Sequence, residues 1–170
     1  MDPVDLHLRI NHFPIILSIV GAAAAVLAMI TRRRAVWLYA TATLALAGLT
    51  VYPALWTGHR AEDAVEDTWY ITRRAIHEHE ERGELAMYVM LATGALAAYA
   101  WWRAIRVPTR DETTPAWLRA AVLLGGLASA GTLVLASYEG GLIVHHAEGL
   151  MVAPAGTTRD APLPPPVPRP

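Results

Sequence analysis

Residues 13–31 read FPIILSIVGAAAAVLAMIT, an apolar run without a charged side chain. A helix rises about 1.5 Å per residue, so about 20 such residues cross the roughly 30 Å hydrocarbon core of a bilayer. Further uncharged apolar runs of similar length cover residues 35–57, 85–102 and 120–138. The sequence therefore predicts four membrane-spanning helices.

The composition of the whole chain agrees with a small membrane domain. Of its 170 residues, 54% are hydrophobic and 17% are charged, which leaves room for one bundle. The spans are rich in small residues, as in Gly21–Ala25 and Gly125–Gly131, and small residues let membrane helices approach closely. We therefore expect an all-α, integral membrane four-helix bundle over residues 1–150.

Net charge and cysteine content exclude several classes of function. The formal net charge is -1 and no basic stripe follows a helix, so nucleic acid is not an expected partner. The chain has no cysteine, which excludes disulfides, iron–sulfur clusters and haem attached through Cys-x-x-Cys-His. Residues 151–170 are rich in proline, so we expect an extended C-terminal tail that contacts other subunits of a membrane complex.

Arginine sets the expected orientation, because the chain has no lysine. Arg32–Arg34 occupy the first loop, and the third loop carries Arg103, Arg106, Arg110 and Arg119. The positive-inside rule places both loops in the cytoplasm. Both termini are then expected in the periplasm, with the chain in a bacterial inner membrane.

The loop between the second and third spans, residues 59–84, has a helical pattern of its own. Its apolar side is formed by Ala61, Ala64, Val65, Trp69, Ile71 and Ile76. We expect a short helical segment here, lying across the outer mouth of the bundle.

All seven histidines lie beside one set of span ends. In order along the chain they are His7, His12, His59, His77, His79, His145 and His146. Because successive spans run antiparallel, these ends share one side of the membrane. On a helix, His59, Glu62, Asp63 and Glu66 would also share one face. Imidazole and carboxylate together suit zinc, copper or non-haem iron. The alternative is that these groups are ordinary interfacial residues, whose acids complement helix dipoles.

Short motifs recur at the same span ends. They are His7-Leu8 with Asn11-His12-Phe13-Pro14-Ile15, Thr57-Gly58 with Glu62 and Glu66, Ile76 with His79-Glu80, and Gly140-Gly141 with Ile143 and His145. Together they resemble an uncharacterised bacterial family of small four-span membrane proteins, with an N-terminal His-x-x-x-x-His-Phe-Pro motif and a C-terminal Gly-Gly-x-Ile-x-His motif. The resemblance covers nearly the whole chain except the tail. It implies the same fold but no established reaction. It also implies a set of site positions, which are His7, His12, Glu62, Glu66, His79 and His145.

Three functions stay open from the sequence. The first, which we favour, is a redox subunit that binds haem b through His12, His79 and His145 and transfers electrons. The second is a non-haem iron, copper or zinc site for metal handling or redox, with the ligands His7, His12, Glu62, Glu66 and His79. The third is a structural accessory subunit of a respiratory or photosynthetic complex.

The spacing of the first two histidines gives a further expectation. His12 follows His7 by five positions, so on one continuous helix they would point about 140° apart. We expect His12 to face the bundle interior with His79, and His7 to cap the site from a non-helical segment. Nothing in the sequence resembles a nucleophile–base catalytic set, so enzymatic activity is left open.

Overall fold

The computed structural model describes residues 2–65, 73–106 and 114–150, with backbone alone for residues 65, 73, 75 and 143–150. Within these ranges the regular structure is entirely helical. The elements are α1 (Pro3–Ile10), α2 (His12–Thr31), α3 (Arg34–Val65), α4 (Arg73–Arg106) and α5 (Ala116–Leu150).

The four long helices form a closed antiparallel bundle. Each of α2, α3, α4 and α5 packs against the next along the chain, and α2 also packs against α5. Four stretches are long and apolar enough to cross a membrane: Pro3–Thr31, Arg34–Ala64, Ile76–Arg106 and Ala116–Leu142. The predicted all-α, four-span membrane bundle is therefore confirmed.

The loop predicted between spans two and three is helical, but in a different way from the one expected. Its described residues extend the two spans: α3 continues to Val65, and α4 already begins at Arg73. The charged residues from His59 onward end the apolar stretch without ending the hydrogen-bonded helix. The described part of this loop thus contains no separate segment across the mouth, and residues 66–72 lie outside the described residues.

The short helix of the molecule is instead α1, at the N-terminus. Asp2 caps it, because its side chain accepts a hydrogen bond of 2.9 Å from the Val4 backbone N–H, and Pro3 is suited to the first turn. The helix packs mainly against α3. His7 is therefore on a helix, and the expectation that it lies in a non-helical segment is wrong.

Small residues allow close packing in the middle of the bundle. A Cβ atom built on Gly94 of α4 would lie 2.9 Å from the Gly48 Cα of α3, so these two backbones touch. Leu44 is fully buried and packs against Gly21. A Cβ built on Gly21 would lie 2.7 Å from the Leu44 Cγ. The glycines make room for the neighbouring helix, as expected for helices that associate in lipid.

One group of arginines lies at the end of the bundle where α2 ends and α3 begins, which we call the arginine end. Arg32 closes α2 in a left-handed conformation with φ of 53°. Arg34 donates a hydrogen bond of 2.6 Å to the Ala104 carbonyl oxygen at the C-terminal end of α4. Because α4 begins near His77 and His79, this end lies opposite those histidines.

Candidate functional site

A cavity of about 350 Å³ lies at the histidine end of the bundle. All five helices contribute to its wall, which includes His7, His12, His59 and His79. The rest of the wall is mainly apolar, with side chains such as Leu133. The structure therefore brings together four histidines that come from four different helices.

His7 projects from α1 and is held by α3. Its Nδ1 lies 3.1 Å from the Ala54 carbonyl oxygen and 3.3 Å from Thr57 Oγ1. The Thr57 hydroxyl itself donates to backbone carbonyls of its own helix, so both neighbours of Nδ1 are acceptors. Nδ1 of the neutral ring therefore carries the proton, and Nε2 presents a lone pair. The ring lies beside Gly58, where a Cβ would be 3.2 Å from His7 Cε1.

His79 repeats this arrangement between α4 and α5. Its half-buried ring lies beside Gly140, where a Cβ would be only 2.8 Å from His79 Cε1. The ring forms a hydrogen bond with the Ala136 carbonyl, while Nδ1 is buried and has no hydrogen-bond partner in the described part of the chain. Because Nδ1 has no such partner, we assign the bond with Ala136 to Nε2–H and the lone pair to Nδ1.

His12 lines the same cavity from an exposed position. Its Nδ1 donates a short hydrogen bond to the Leu8 carbonyl oxygen of the preceding helix. Asn11 lies between the two helices and itself has a right-handed helical backbone conformation. The expectation that His12 faces the bundle interior is therefore wrong, because its side chain lies at the rim.

A second group of ligand atoms lies at the mouth of the cavity. One ligand atom each from His59 of α3 and from Glu80 and Glu84 of α4 lies within 4.8 Å of the others. Glu80 and Glu84 are four residues apart, so they occupy one face of α4. Glu80 is half-buried, whereas His59 and Glu84 are exposed. We call these three side chains the mouth group.

Among the described residues, the charged neighbours of the mouth group mainly contact other groups. Glu80 has a long contact of 3.7 Å with the His77 ring, which also approaches Glu81 at 3.3 Å. Three arginines at this end contact other groups: Arg60 lies over the Trp56 ring, Arg74 pairs with Glu78, and Arg82 pairs with Glu139. Two carboxylates held this close favour a bound positive charge, because their mutual repulsion is then relieved.

The remaining predicted site residues have mixed outcomes. Glu62 is half-buried, lines the cavity and takes part in an interaction of its own. Glu66 lies outside the described residues. His145 lies on the last turns of α5, but its side chain is outside the described part of the structure, as is that of His146.

No family model, curated protein or solved structure matches the chain. The resemblance carried by the motifs therefore stays an expectation.

Sequence reasoning missed two members of the mouth group, Glu80 and Glu84. It paired His59 with Glu62 and Glu66 of the same helix, because a single sequence shows spacing within a helix directly but does not show contacts between helices. A signal was nevertheless present, since Glu80 and Glu84 have the same four-residue spacing and Glu80 directly follows His79. Whether Glu80 and Glu84 lie beside His59 depends on the rotation of α4 against α3.

Proposed function

We propose that this chain is a membrane metal protein in which His59, Glu80 and Glu84 bind a transition metal ion at the mouth of the cavity. The observation that carries the proposal is the convergence of three ligand atoms, from two helices, within 4.8 Å of one another. The fold supports it, because an antiparallel bundle with four candidate spans holds α3 and α4 side by side.

The spacing of the ligand atoms is close to that of a metal site. Metal–nitrogen and metal–oxygen bonds of about 2.0–2.2 Å place neighbouring tetrahedral ligands about 3.5 Å apart. The three side chains would need to close by about an ångström, which two exposed side chains can do by small rotamer changes. Water would complete the coordination, so the site would keep an open position for a reacting ligand.

The donor set favours particular ions and roles. One imidazole and two carboxylates are hard to intermediate ligands, which suit non-haem iron or zinc better than copper(I), an ion that prefers sulfur. Bound iron would supply one-electron redox chemistry, whereas zinc would indicate metal handling. We favour iron and electron transfer, because ionisable groups near membrane depth commonly serve ion or electron pathways.

Haem b, the cofactor favoured from the sequence, has less support. It needs two imidazoles that approach one iron from opposite faces. The cavity volume of about 350 Å³ is near the lower end of the roughly 300–1,000 Å³ of small-molecule pockets. The carboxylates of Glu62 and Glu80 line the wall, and a haem with two histidine ligands does not use them. An absorption spectrum of the oxidised and reduced protein tests this alternative through the Soret band.

Orientation and partners form a second part of the proposal. We propose that the arginine end faces the cytoplasm and that the histidine cavity faces the periplasm of a bacterial inner membrane. The proline-rich residues 151–170 would then reach partner subunits on the periplasmic side. A periplasmic phosphatase fused after Pro170 should be active, and a fluorescent reporter that folds only in the cytoplasm should be dark; the reverse pattern would reject this orientation.

The metal proposal is tested on the full chain purified in lipid nanodiscs. We expect one equivalent of iron or zinc by elemental analysis, and saturable binding of Co²⁺ as a spectroscopic probe. The double variant Glu80→Gln with Glu84→Gln should weaken Co²⁺ binding at least about a hundredfold, since both charged ligands are lost. Glu78→Gln is the matched control, because Glu78 pairs with Arg74 on the same helix. Equal Co²⁺ affinity in the double variant and the control would reject the site.

A further inference from the structure

The cavity behind the mouth group is too large and too apolar for a metal ion alone. A single ion occupies a small part of about 350 Å³ and needs about four polar ligand atoms. The inner wall is formed largely by aliphatic side chains, among them Val51, Leu55, Ile76, Met87 and Leu133. Such walls fit a ligand with an apolar body, as in most small-molecule pockets.

The polar atoms of the inner cavity have a common property, which is that they accept hydrogen bonds. His7 donates through Nδ1 to Ala54 and presents Nε2 as an acceptor. His79 presents Nδ1, which is buried without a partner among the described residues. Asn11 lines the same cavity, and its Oδ1 is likewise a buried acceptor without a partner in the described ranges. Buried acceptors of this kind are costly unless a ligand donates to them.

The two imidazoles are also held in place before any ligand binds. Gly58 of α3 lies beside the His7 ring, and Gly140 of α5 lies beside the His79 ring. Each ring is fixed on its far side by a backbone carbonyl, that of Ala54 or Ala136. Fixed acceptors on two sides of an apolar chamber favour a ligand with two hydroxyl donors on a rigid apolar ring.

We propose that this inner chamber, lined by His7 and His79, binds the ring of a membrane quinol, whose two hydroxyl groups donate to the two imidazoles. The ligand class follows from the donor and acceptor pattern, because the reduced ring carries two O–H donors whereas the oxidised quinone carries only acceptors. A quinol is also soluble in the bilayer that surrounds the bundle. The proposal does not depend on the metal at the mouth.

The test uses the full chain in nanodiscs, with decylubiquinol as the probe under anaerobic conditions. Binding is measured against empty nanodiscs, and decylubiquinone serves as the matched oxidised probe. We expect saturable binding of one decylubiquinol, at least about fivefold tighter than decylubiquinone, because each lost hydrogen bond weakens binding about that much. Equal or tighter binding of the quinone, or no saturable binding above empty discs, would overturn the proposal.

Variants separate the imidazoles from the general shape of the cavity. His7→Phe and His79→Phe should each weaken decylubiquinol binding about tenfold, whereas His77→Phe, outside the lining, should leave it unchanged. Gly140→Ala keeps both histidines but pushes the His79 ring, and should weaken binding about threefold or more. Gly131→Ala on the same helix meets no neighbour and is the control for folding. Unchanged affinity in both His→Phe variants would contradict the assignment.

The single variant Glu84→Gln distinguishes the two proposals, because Glu84 belongs to the mouth group but, unlike Glu80, is not part of the cavity lining. It should weaken Co²⁺ binding at the mouth and still bind decylubiquinol within about twofold of the unchanged chain. A loss of decylubiquinol binding in this variant, with His7→Phe and His79→Phe unaffected, would place the ligand at the mouth and overturn the inner site.

Discussion

The middle of the bundle and its histidine end are built from the same four helices but packed in different ways. In the middle, Gly48 and Gly94 bring the α3 and α4 backbones into contact, and Leu44 is fully buried beside Gly21. At the histidine end the same helices surround a cavity of about 350 Å³. Lipid provides little hydrophobic drive for helix association, so close packing in the middle must hold the bundle together. The histidine end is thereby left free to form a cavity with a mainly apolar wall and a few polar groups.

The largest effect on the free energy of unfolding is expected from Gly94→Leu, which disturbs the close packing in the middle. The new side chain would meet the Gly48 backbone, which cannot move aside as a flexible side chain can, so we expect a loss of about 3 kcal/mol in the free energy of unfolding. Gly131→Leu, at a glycine with open space around it, should cost no more than about 0.5 kcal/mol. The measurement is unfolding in mixed detergent micelles, followed by circular dichroism. Equal stability of the two variants would mean that α3 and α4 do not touch at Gly48.

Metal binding gives the next largest effect, this time at the histidine end. An ion at a hundredfold excess over its dissociation constant should raise the free energy of unfolding by about 2.7 kcal/mol, because it binds only the folded chain. The rise should disappear in the Glu80→Gln with Glu84→Gln variant. It should persist in Arg34→Ala, which changes only the arginine end. A rise of equal size in the mouth-group variant would show that the ion stabilises another place.

A matched pair of alanines on α4 sharpens the contrast in packing. Ala86 and Ala97 are both fully buried in the same packed core, but only Ala86 also lines the cavity. Ala97→Leu should lower the free energy of unfolding by about 2 kcal/mol through overpacking, whereas Ala86→Leu should cost less than about 1 kcal/mol. Ala86→Leu should at the same time weaken decylubiquinol binding. If Ala86→Leu is as destabilising as Ala97→Leu, the cavity is not available in the folded protein.

The smallest effect is expected at the arginine end. Arg34→Ala removes the hydrogen bond to the Ala104 carbonyl, and an exposed bond of this kind should contribute about 0.5 kcal/mol. Arg33→Ala, at the neighbouring exposed arginine, is the control. Neither change should alter Co²⁺ binding at the mouth group. A tenfold change in Co²⁺ affinity in Arg34→Ala would mean that the two ends of the bundle are coupled.

The fold was predictable to the extent that hydropathy reports on contact with lipid. The uncharged runs identified the four spans, but they did not give the ends of α3 and α4. A helix can continue beyond the lipid into charged residues such as Glu62. The start of α1 was readable in principle. Asp2 and Pro3 form a common helix-start pattern, which predicts α1. The spacing of His7 and His12 instead led to the expectation that His7 is not on a helix.

The candidate site was only partly predictable, for a different reason. The gathering of the histidines at one end follows from counting antiparallel spans, and His7, His59 and His79 do line one cavity. The pairing of His59 with Glu80 and Glu84 depends on how α4 is rotated against α3, which hydropathy does not determine. The roles of Gly58 and Gly140 also need three dimensions, because each makes room for a ring that comes from another helix.

The uncharged part of α4 has a consequence for the choice of bilayer. It runs from Leu85 to Trp102, which is about 27 Å at 1.5 Å per residue, slightly less than the roughly 30 Å hydrocarbon core of a typical bilayer. Glu84 and Arg103 bound it directly, so neither end can sink without drawing a charge toward the acyl chains. A thicker membrane would create a hydrophobic mismatch that is relieved by local thinning or by movement of the Glu84 carboxylate. Acyl-chain length thus becomes a physical variable that acts directly on the mouth group.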